Sequence, residues 1–320
     1  WDFSPVEYVN ASSEGKILTA SIENTNYCNL DCKYCFRGGA LPSVDRQIEG
    51  QLLREELFKL VDDLALLGVK AIYITGAGEP LIEKDLPQLL IRIAEKKIIP
   101  VVATNGSLIT PEMVKIFKKT NSSVVLKLNT FDSSKQDEIV QRAGYSKKRD
   151  TGLELLINAG FNKPSKTVQT KLGINSIVFK GNINEVLDIL RFCRKNNIMP
   201  VMSTFIPAGR TKSNTDEEVS LKDFLDISRK ARKIDEKEFN IKYDRLLPYL
   251  GGISCSQCGK ASIFVSITGD IYDCPGQLVN YGNVRTTSIK EAVANIQKNE
   301  VNTDFGCPLR NEYWKRTKQT

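Results

Sequence analysis

The feature that most restricts this chain is an alternation of short apolar strands with amphipathic helices, running from residue 16 to residue 206. Residues 16–23 read as a first strand that enters a polar loop. Further strands are expected at Ala71–Thr75, Ile98–Ala103, Ser123–Asn129, Thr167–Phe179 and Ile198–Ile206. Between them, helical spacing marks Arg54–Leu67, Leu86–Glu95, Pro111–Lys118, Asp150–Ala159 and Ile183–Asn196, with Thr110 as a cap for the third. Strands separated by helices can pair only in parallel, through right-handed crossovers. The expected fold class is therefore α/β: a partial (β/α)6 TIM-like barrel, with its reaction centre at the C-terminal ends of the strands.

The pattern changes beyond residue 210. Residues 211–248 are highly charged and read as a helical connector built on Leu221–Ile234. Residues 249–310 predict a small unit: a hairpin of Ile263–Ile267 and Ile271–Tyr272 about a Gly269-Asp270 turn, then a helix at Ser288–Gln297. The expected division is a 1–15 extension, a 16–210 barrel, the 211–248 connector, the 249–310 unit and a 311–320 tail.

Composition narrows the chemistry. Of 320 residues, 41% are hydrophobic and 26% charged, as in folded globular chains. No apolar run nears the ~20 residues of a membrane span, and the N-terminus lacks a signal pattern. A cytoplasmic protein without membrane contact is expected. The basic residues behind the +7 net charge are scattered, so no nucleic-acid partner is expected. There is no histidine, which excludes Ser-His-Asp and Cys-His catalysis and His-ligated zinc.

Eight cysteines remain, and in a cytosolic chain they point to metal or catalysis before disulfides. They group as Cys28, Cys32 and Cys35, then Cys255, Cys258, Cys274 and Cys307, with Cys193 alone on a helix as a small buried hydrophobe. Three thiolates can hold three irons of a [4Fe–4S] cluster and leave the fourth iron open to an outside ligand. A zinc site one ligand short and plain buried thiols are the bland alternatives.

The run Cys28-Asn29-Leu30-Asp31-Cys32-Lys33-Tyr34-Cys35 and the turn Gly76-Ala77-Gly78-Glu79-Pro80 after the second strand resemble the radical SAM superfamily over residues 16–307. The resemblance implies an enzyme that binds S-adenosylmethionine at a [4Fe–4S] cluster on Cys28, Cys32 and Cys35. It cleaves the cofactor reductively to a 5′-deoxyadenosyl radical and abstracts hydrogen from its substrate. Gly76, Ala77, Gly78, Glu79 and Pro80 take the place of the turn that binds the methionyl amine, and Tyr34 that of an adenine contact. Thr104 and Asn105, before Gly106, resemble a motif facing the reaction centre. Lys127 and Asn129 stand where the family commonly has Ser and Asp, so Lys127 could reach a carboxylate of cofactor or substrate. Asn175 and Ile206 fall where ribose and adenine contacts occur. An electron donor of flavodoxin or ferredoxin type is implied.

The back cysteines resemble a SPASM or shorter twitch-type auxiliary domain, implying one auxiliary [4Fe–4S] cluster on Cys255, Cys258, Cys274 and Cys307. A zinc site and a three-cysteine cluster with an open iron remain alternatives. Gly259-Lys260-Ala261-Ser262 stands where the molybdopterin-precursor cyclase carries arginines, and the chain closes on Lys-Gln-Thr instead of Gly-Gly, so that enzyme is not expected. Ile206-Pro207-Ala208-Gly209-Arg210 resembles a Pro-x-Gly-Arg stretch of such enzymes. Arg210 could pair with a substrate carboxylate or phosphate, or serve a structural ion pair. The expected substrate is a small polar molecule (sugar, aminocyclitol or nucleoside) undergoing dehydrogenation, decarboxylation or epimerisation. The alternatives are crosslinking, oxidation or epimerisation of a ribosomal peptide, and a non-enzymatic iron–sulfur or zinc module.

Overall fold

The computed structural model describes residues 1–37, 48–165, 168–204, 209–212, 217–242, 250, 260–276 and 279–298. Six parallel strands follow the expected alternation: β1 (Thr19–Ile22), β2 (Ala71–Ile74), β3 (Ile99–Thr104), β4 (Ser123–Lys127), β5 (Leu172–Val178) and β6 (Met199–Thr204). They pair in sequence order in an open sheet. The helices are α1 (Pro5–Ser13), α2 (Arg54–Leu66), α3 (Leu86–Glu95), α4 (Pro111–Lys119), α5 (Ser133–Val140), α6 (Tyr145–Asn158), α7 (Val186–Lys195), α8 (Leu221–Glu238) and α9 (Ile289–Lys298). Local chemistry sets their starts: the Thr110 hydroxyl accepts from Met113 N ahead of Pro111, and Ser4 and Glu7 form a reciprocal capping box on α1.

One face of the sheet packs Ile22, Ile72, Ile74, Val102, Val124, Leu126 and Ile174 against helix residues such as Leu60, Leu64, Leu90, Ile93, Phe117 and Leu190. Cys193 is buried in this layer, as a small apolar side chain. The other face is turned into the barrel, where Ala71, Val101, Val125, Met199 and Val201 surround the Trp1 ring. The Trp1 indole donates to the Thr170 carbonyl at 2.8 Å, and Tyr73 hydroxyl donates to the Trp1 carbonyl. Trp1, with Phe3 beside it, is thus packed into the barrel.

The C-terminal strands continue this sheet. Strand β7 (Ser262–Val265) lies parallel to β1, and β8 (Asp270–Tyr272) and β9 (Asn280–Asn283) follow antiparallel. The full order is β6–β5–β4–β3–β2–β1–β7–β8–β9. Three elements escape the periodicity rules. Helices α1 and α5 are short with few apolar positions, and β9 (Asn-Tyr-Gly-Asn) has strand-poor composition, so tertiary pairing decides all three. Among the described residues no helix is long and apolar enough to cross a membrane.

Candidate active site

The loop after β1 carries Cys28, Cys32 and Cys35, all half-buried and free. It is held from several sides. Asp31 N and Lys33 N donate to the carbonyls of Val140 and Ile139 at the end of α5, each at 3.1 Å. Gln141 then turns left-handed (φ 54°), ending α5 and leaving those carbonyls to the loop. Leu30 packs with Ile139, Val140, Tyr145 and Phe179 in a small apolar cluster flanked by Cys28, Cys32 and Tyr34.

The turn after β2 is pressed against the same loop. Gly78 N donates to Thr25 O at 2.9 Å and Glu79 N to Tyr27 O at 2.8 Å. A Cβ on Gly78 would collide with the Tyr27 backbone, lying 2.8 Å from its nitrogen and closer still to its carbonyl. Gly76 combines a left-handed φ of +58° with a Cβ position only 2.8 Å from the Gly78 carbonyl oxygen. Both glycines are needed by backbone geometry.

Glu79 is buried beneath this turn. It accepts from Thr104 Oγ1 at 2.6 Å, Asn105 N at 2.7 Å and Leu81 N at 3.1 Å, joining the exits of β2 and β3. Burial pushes its carboxyl up to about 7, against the pull of these donors. A carboxyl raised on folding stabilises the folded state fully below its unfolded value near 4.5, and that contribution is lost as pH rises through about 7. The loss amounts to about 3 kcal/mol. We expect denaturant unfolding to show wild type losing stability relative to Glu79→Gln across this window; a pH-independent difference refutes the assignment.

Asn105 extends the join. Its Nδ2 donates to Asn29 Oδ1 at 2.8 Å, Asn29 Nδ2 donates to Ser107 Oγ at 3.0 Å, and the Tyr145 hydroxyl donates to the Asn105 carbonyl at 2.8 Å. Asn29, Ser107 and Tyr145 were not singled out in the sequence; only the location of Ser107 beside the Thr-Asn-Gly run hinted at one of them.

On the opposite side, Lys127 at the end of β4 donates to Asn175 Oδ1 of β5 at 2.6 Å and lies 4.8 Å from the Tyr34 ring centroid. Burial lowers its ammonium to about 7, while Cys32 and Cys35 pull it up. Asn129 Nδ2 donates to the Tyr34 hydroxyl at 2.7 Å, and its Oδ1 accepts from Ile177 N. Phe179 packs on Tyr34 with ring centroids 6.3 Å apart. Cys loop, glycine turn, Thr104, Asn105, Lys127, Asn129 and Asn175 thus gather at one end of the barrel.

Arg210 also reaches this loop. Its guanidinium donates to the Asp31 carbonyl at 2.9 Å and the Cys32 carbonyl at 3.3 Å, and pairs with the Asp31 carboxylate. Its backbone N donates to the Cys35 carbonyl at 3.1 Å. Ile206, Cys255, Cys258 and Cys307 lie outside the described residues. Cys274 is half-buried just past β8, beside buried Asp273.

The donor set fits a [4Fe–4S] cluster. Burial pushes the Cys28 thiol up to about 12 and the Cys32 thiol to about 11, so a cation must draw off their protons. Among the described residues no three acidic or thiol side chains converge on one ion. A cluster that takes one thiolate per iron does not require it.

The chain thus forms an open, mostly parallel sheet of the TIM-like class, with three free thiols and a glycine turn at its carboxyl end. The sequence model of the Radical SAM superfamily matches residues 22–193. The chain belongs to that superfamily, and S-adenosylmethionine with a [4Fe–4S] cluster are the cofactors this membership implies. Its relatives include Fe-coproporphyrin III synthase of Methanosarcina barkeri, 30% identical over 67% of this chain and 52% of that protein. GTP 3′,8-cyclase of Lactiplantibacillus plantarum is 29% identical over 64% of this chain and 59% of the relative. The chain thus spans between half and two thirds of these relatives' length. In fold it is similar to Streptococcus suis SuiB bound to S-adenosylmethionine (TM-score 0.67, 20% identity, 97% of this chain and 71% of that one). It is also similar to anSMEcpe with bound AdoMet (TM-score 0.62, 17% identity, 94% and 84%).

Proposed function

We propose that Cys28, Cys32 and Cys35 ligate the cluster and that S-adenosylmethionine lies between the Gly76–Pro80 turn and Lys127. The observation that carries this reading is the close approach of Gly78 to the Tyr27 backbone, with Gly78 N on Thr25 O and Glu79 N on Tyr27 O, which fixes the glycine turn beside the first cysteine. When bound, the two cofactors supply reductive cleavage of the sulfonium bond and hydrogen-atom abstraction. The chain's own residues bind and orient. Lys127 offers positive charge to a carboxylate, Asn175 and Tyr34 hold that lysine, and Asn129 holds the Tyr34 hydroxyl. The barrel filled by Trp1 at its inner face limits water. Cys274 joins Cys255, Cys258 and Cys307 in an auxiliary twitch-type [4Fe–4S] site, and a flavodoxin or ferredoxin delivers the electron.

The substrate in this reading is a small polar molecule undergoing dehydrogenation, decarboxylation or epimerisation. Support comes from the sequence relative named as a GTP 3′,8-cyclase. A ribosomal peptide is the second reading, favoured by the fold shared with SuiB, which has also been solved with its precursor peptide SuiA. Anaerobic reconstitution should give about eight irons per chain, four per cluster; about four removes the auxiliary site. Reduced enzyme offered nucleosides, sugars and aminocyclitols should release 5′-deoxyadenosine with one of them. Release only with peptides overturns the small-substrate assignment.

A further inference from the structure

We propose that Arg210 is a positioning residue that closes the rim of the barrel by fastening the cysteine loop to the chain that follows β6. The sheet leaves this rim open, because β6 is an edge strand and β1 pairs with β2 and β7. Among the described residues no strand pairing therefore ties the exit of β1 to the exit of β6. Arg210 makes that tie across 179 residues of sequence. Its guanidinium satisfies two adjacent carbonyls, those of Asp31 and Cys32, while also pairing with the Asp31 carboxylate. Its backbone N satisfies the carbonyl of Cys35.

The planar fork is suited to this. One guanidinium can serve a carbonyl pair and a carboxylate at once, whereas an ammonium acts as a point charge without fixed directions. Gly209, at φ +60°, lets the chain turn sharply into the contact. A second ion pair acts on the far side of the loop. Arg37, two residues past Cys35, meets buried Glu23 at the end of β1, and Glu23 also accepts from Ile267 N beyond β7 at 3.0 Å. Arg210 thus holds one flank of the three-thiol segment and Arg37 the other. The role rests on the reading of that segment as the cluster loop, but the contact itself does not.

The test uses two readouts. In the cofactor-free protein, amide hydrogen exchange is followed at Asp31 and Lys33, whose bonds to Val140 and Ile139 report loop opening. Losing hydrogen bonds to a charged group should speed exchange at least about tenfold in Arg210→Ala. Arg210→Lys should recover little of this, and Asp31→Asn, which keeps the carbonyl contacts, should fall between. In the reconstituted protein, the reduced-cluster electron paramagnetic resonance signal and its shift on adding S-adenosylmethionine should weaken in Arg210→Ala. Unchanged exchange in both Arg210→Ala and Asp31→Asn overturns the proposal. So does an Arg210→Ala enzyme with a full cluster signal and normal cofactor shift whose only defect is a raised KM, the mark of a substrate-binding arginine. If wild type takes up no cluster, the functional reading fails while the exchange result still decides on Arg210.

Discussion

Cys28→Ala should lower 5′-deoxyadenosine formation by about three orders of magnitude or more, because a cube that already has one iron open is not held by only two thiolates. Cys28 is the sharpest choice among the three thiols. It lies one residue past Tyr27, whose backbone is locked to the glycine turn. The side chain is half-buried, and Ala fits without new contacts. The fold should therefore survive, and thermal unfolding of the cofactor-free variant should match that of the cofactor-free parent. Anaerobic assays of deoxyadenosine together with iron content check this. Sustained cleavage in the variant removes the cysteine triad from the proposed chemistry.

Gly78→Ala should have the largest structural effect of any single methyl addition in the site. The new Cβ has no room against the Tyr27 backbone, and backbone cannot swing aside as a side chain tip can. The turn must withdraw, breaking the Gly78–Thr25 and Glu79–Tyr27 hydrogen bonds. Overpacking of 1–3 kcal/mol together with two hydrogen bonds near 1 kcal/mol each gives about 3–5 kcal/mol of destabilisation. Denaturant unfolding measures this, and binding of S-adenosylmethionine to the reconstituted protein should fail in parallel. A stability loss under about 1 kcal/mol contradicts the close approach. Gly68→Ala is the comparison: a Cβ there meets nothing within 4 Å, but φ is +76°, whereas Gly78 is not left-handed. The two variants report the two effects separately: collision at Gly78, backbone strain at Gly68.

The barrel was legible because its strands are short apolar runs ending in polar turns, and helices such as α3, α4 and α7 carry a clear apolar face. Even the Thr110 cap falls where its side chain can accept from Met113. The placement of the C-terminal hairpin was not legible. Its alternation identifies β7 and β8, but nothing in a strand's own residues says which neighbour it joins, and pairing with β1 is a long-range choice. The candidate site divides in the same way. Cysteines and glycines announce themselves by spacing, whereas Asn29, Ser107 and Tyr145 are ordinary polar residues that only the fold brings together. Arg210 lay in a noticed run, yet its partner Asp31 is among the cysteines themselves. An ion pair across that separation has no sequence signal.

The place of β1 between β2 and β7 bears on how the protein is made. A ribosome emits Ser262–Val265 about 240 residues after its partner Thr19–Ile22, so the first strand waits through that stretch of synthesis with one edge unpaired. Until then the adjoining thiols share an unfinished surface. Insertion of a cluster is best timed after that hairpin has emerged and sealed the edge.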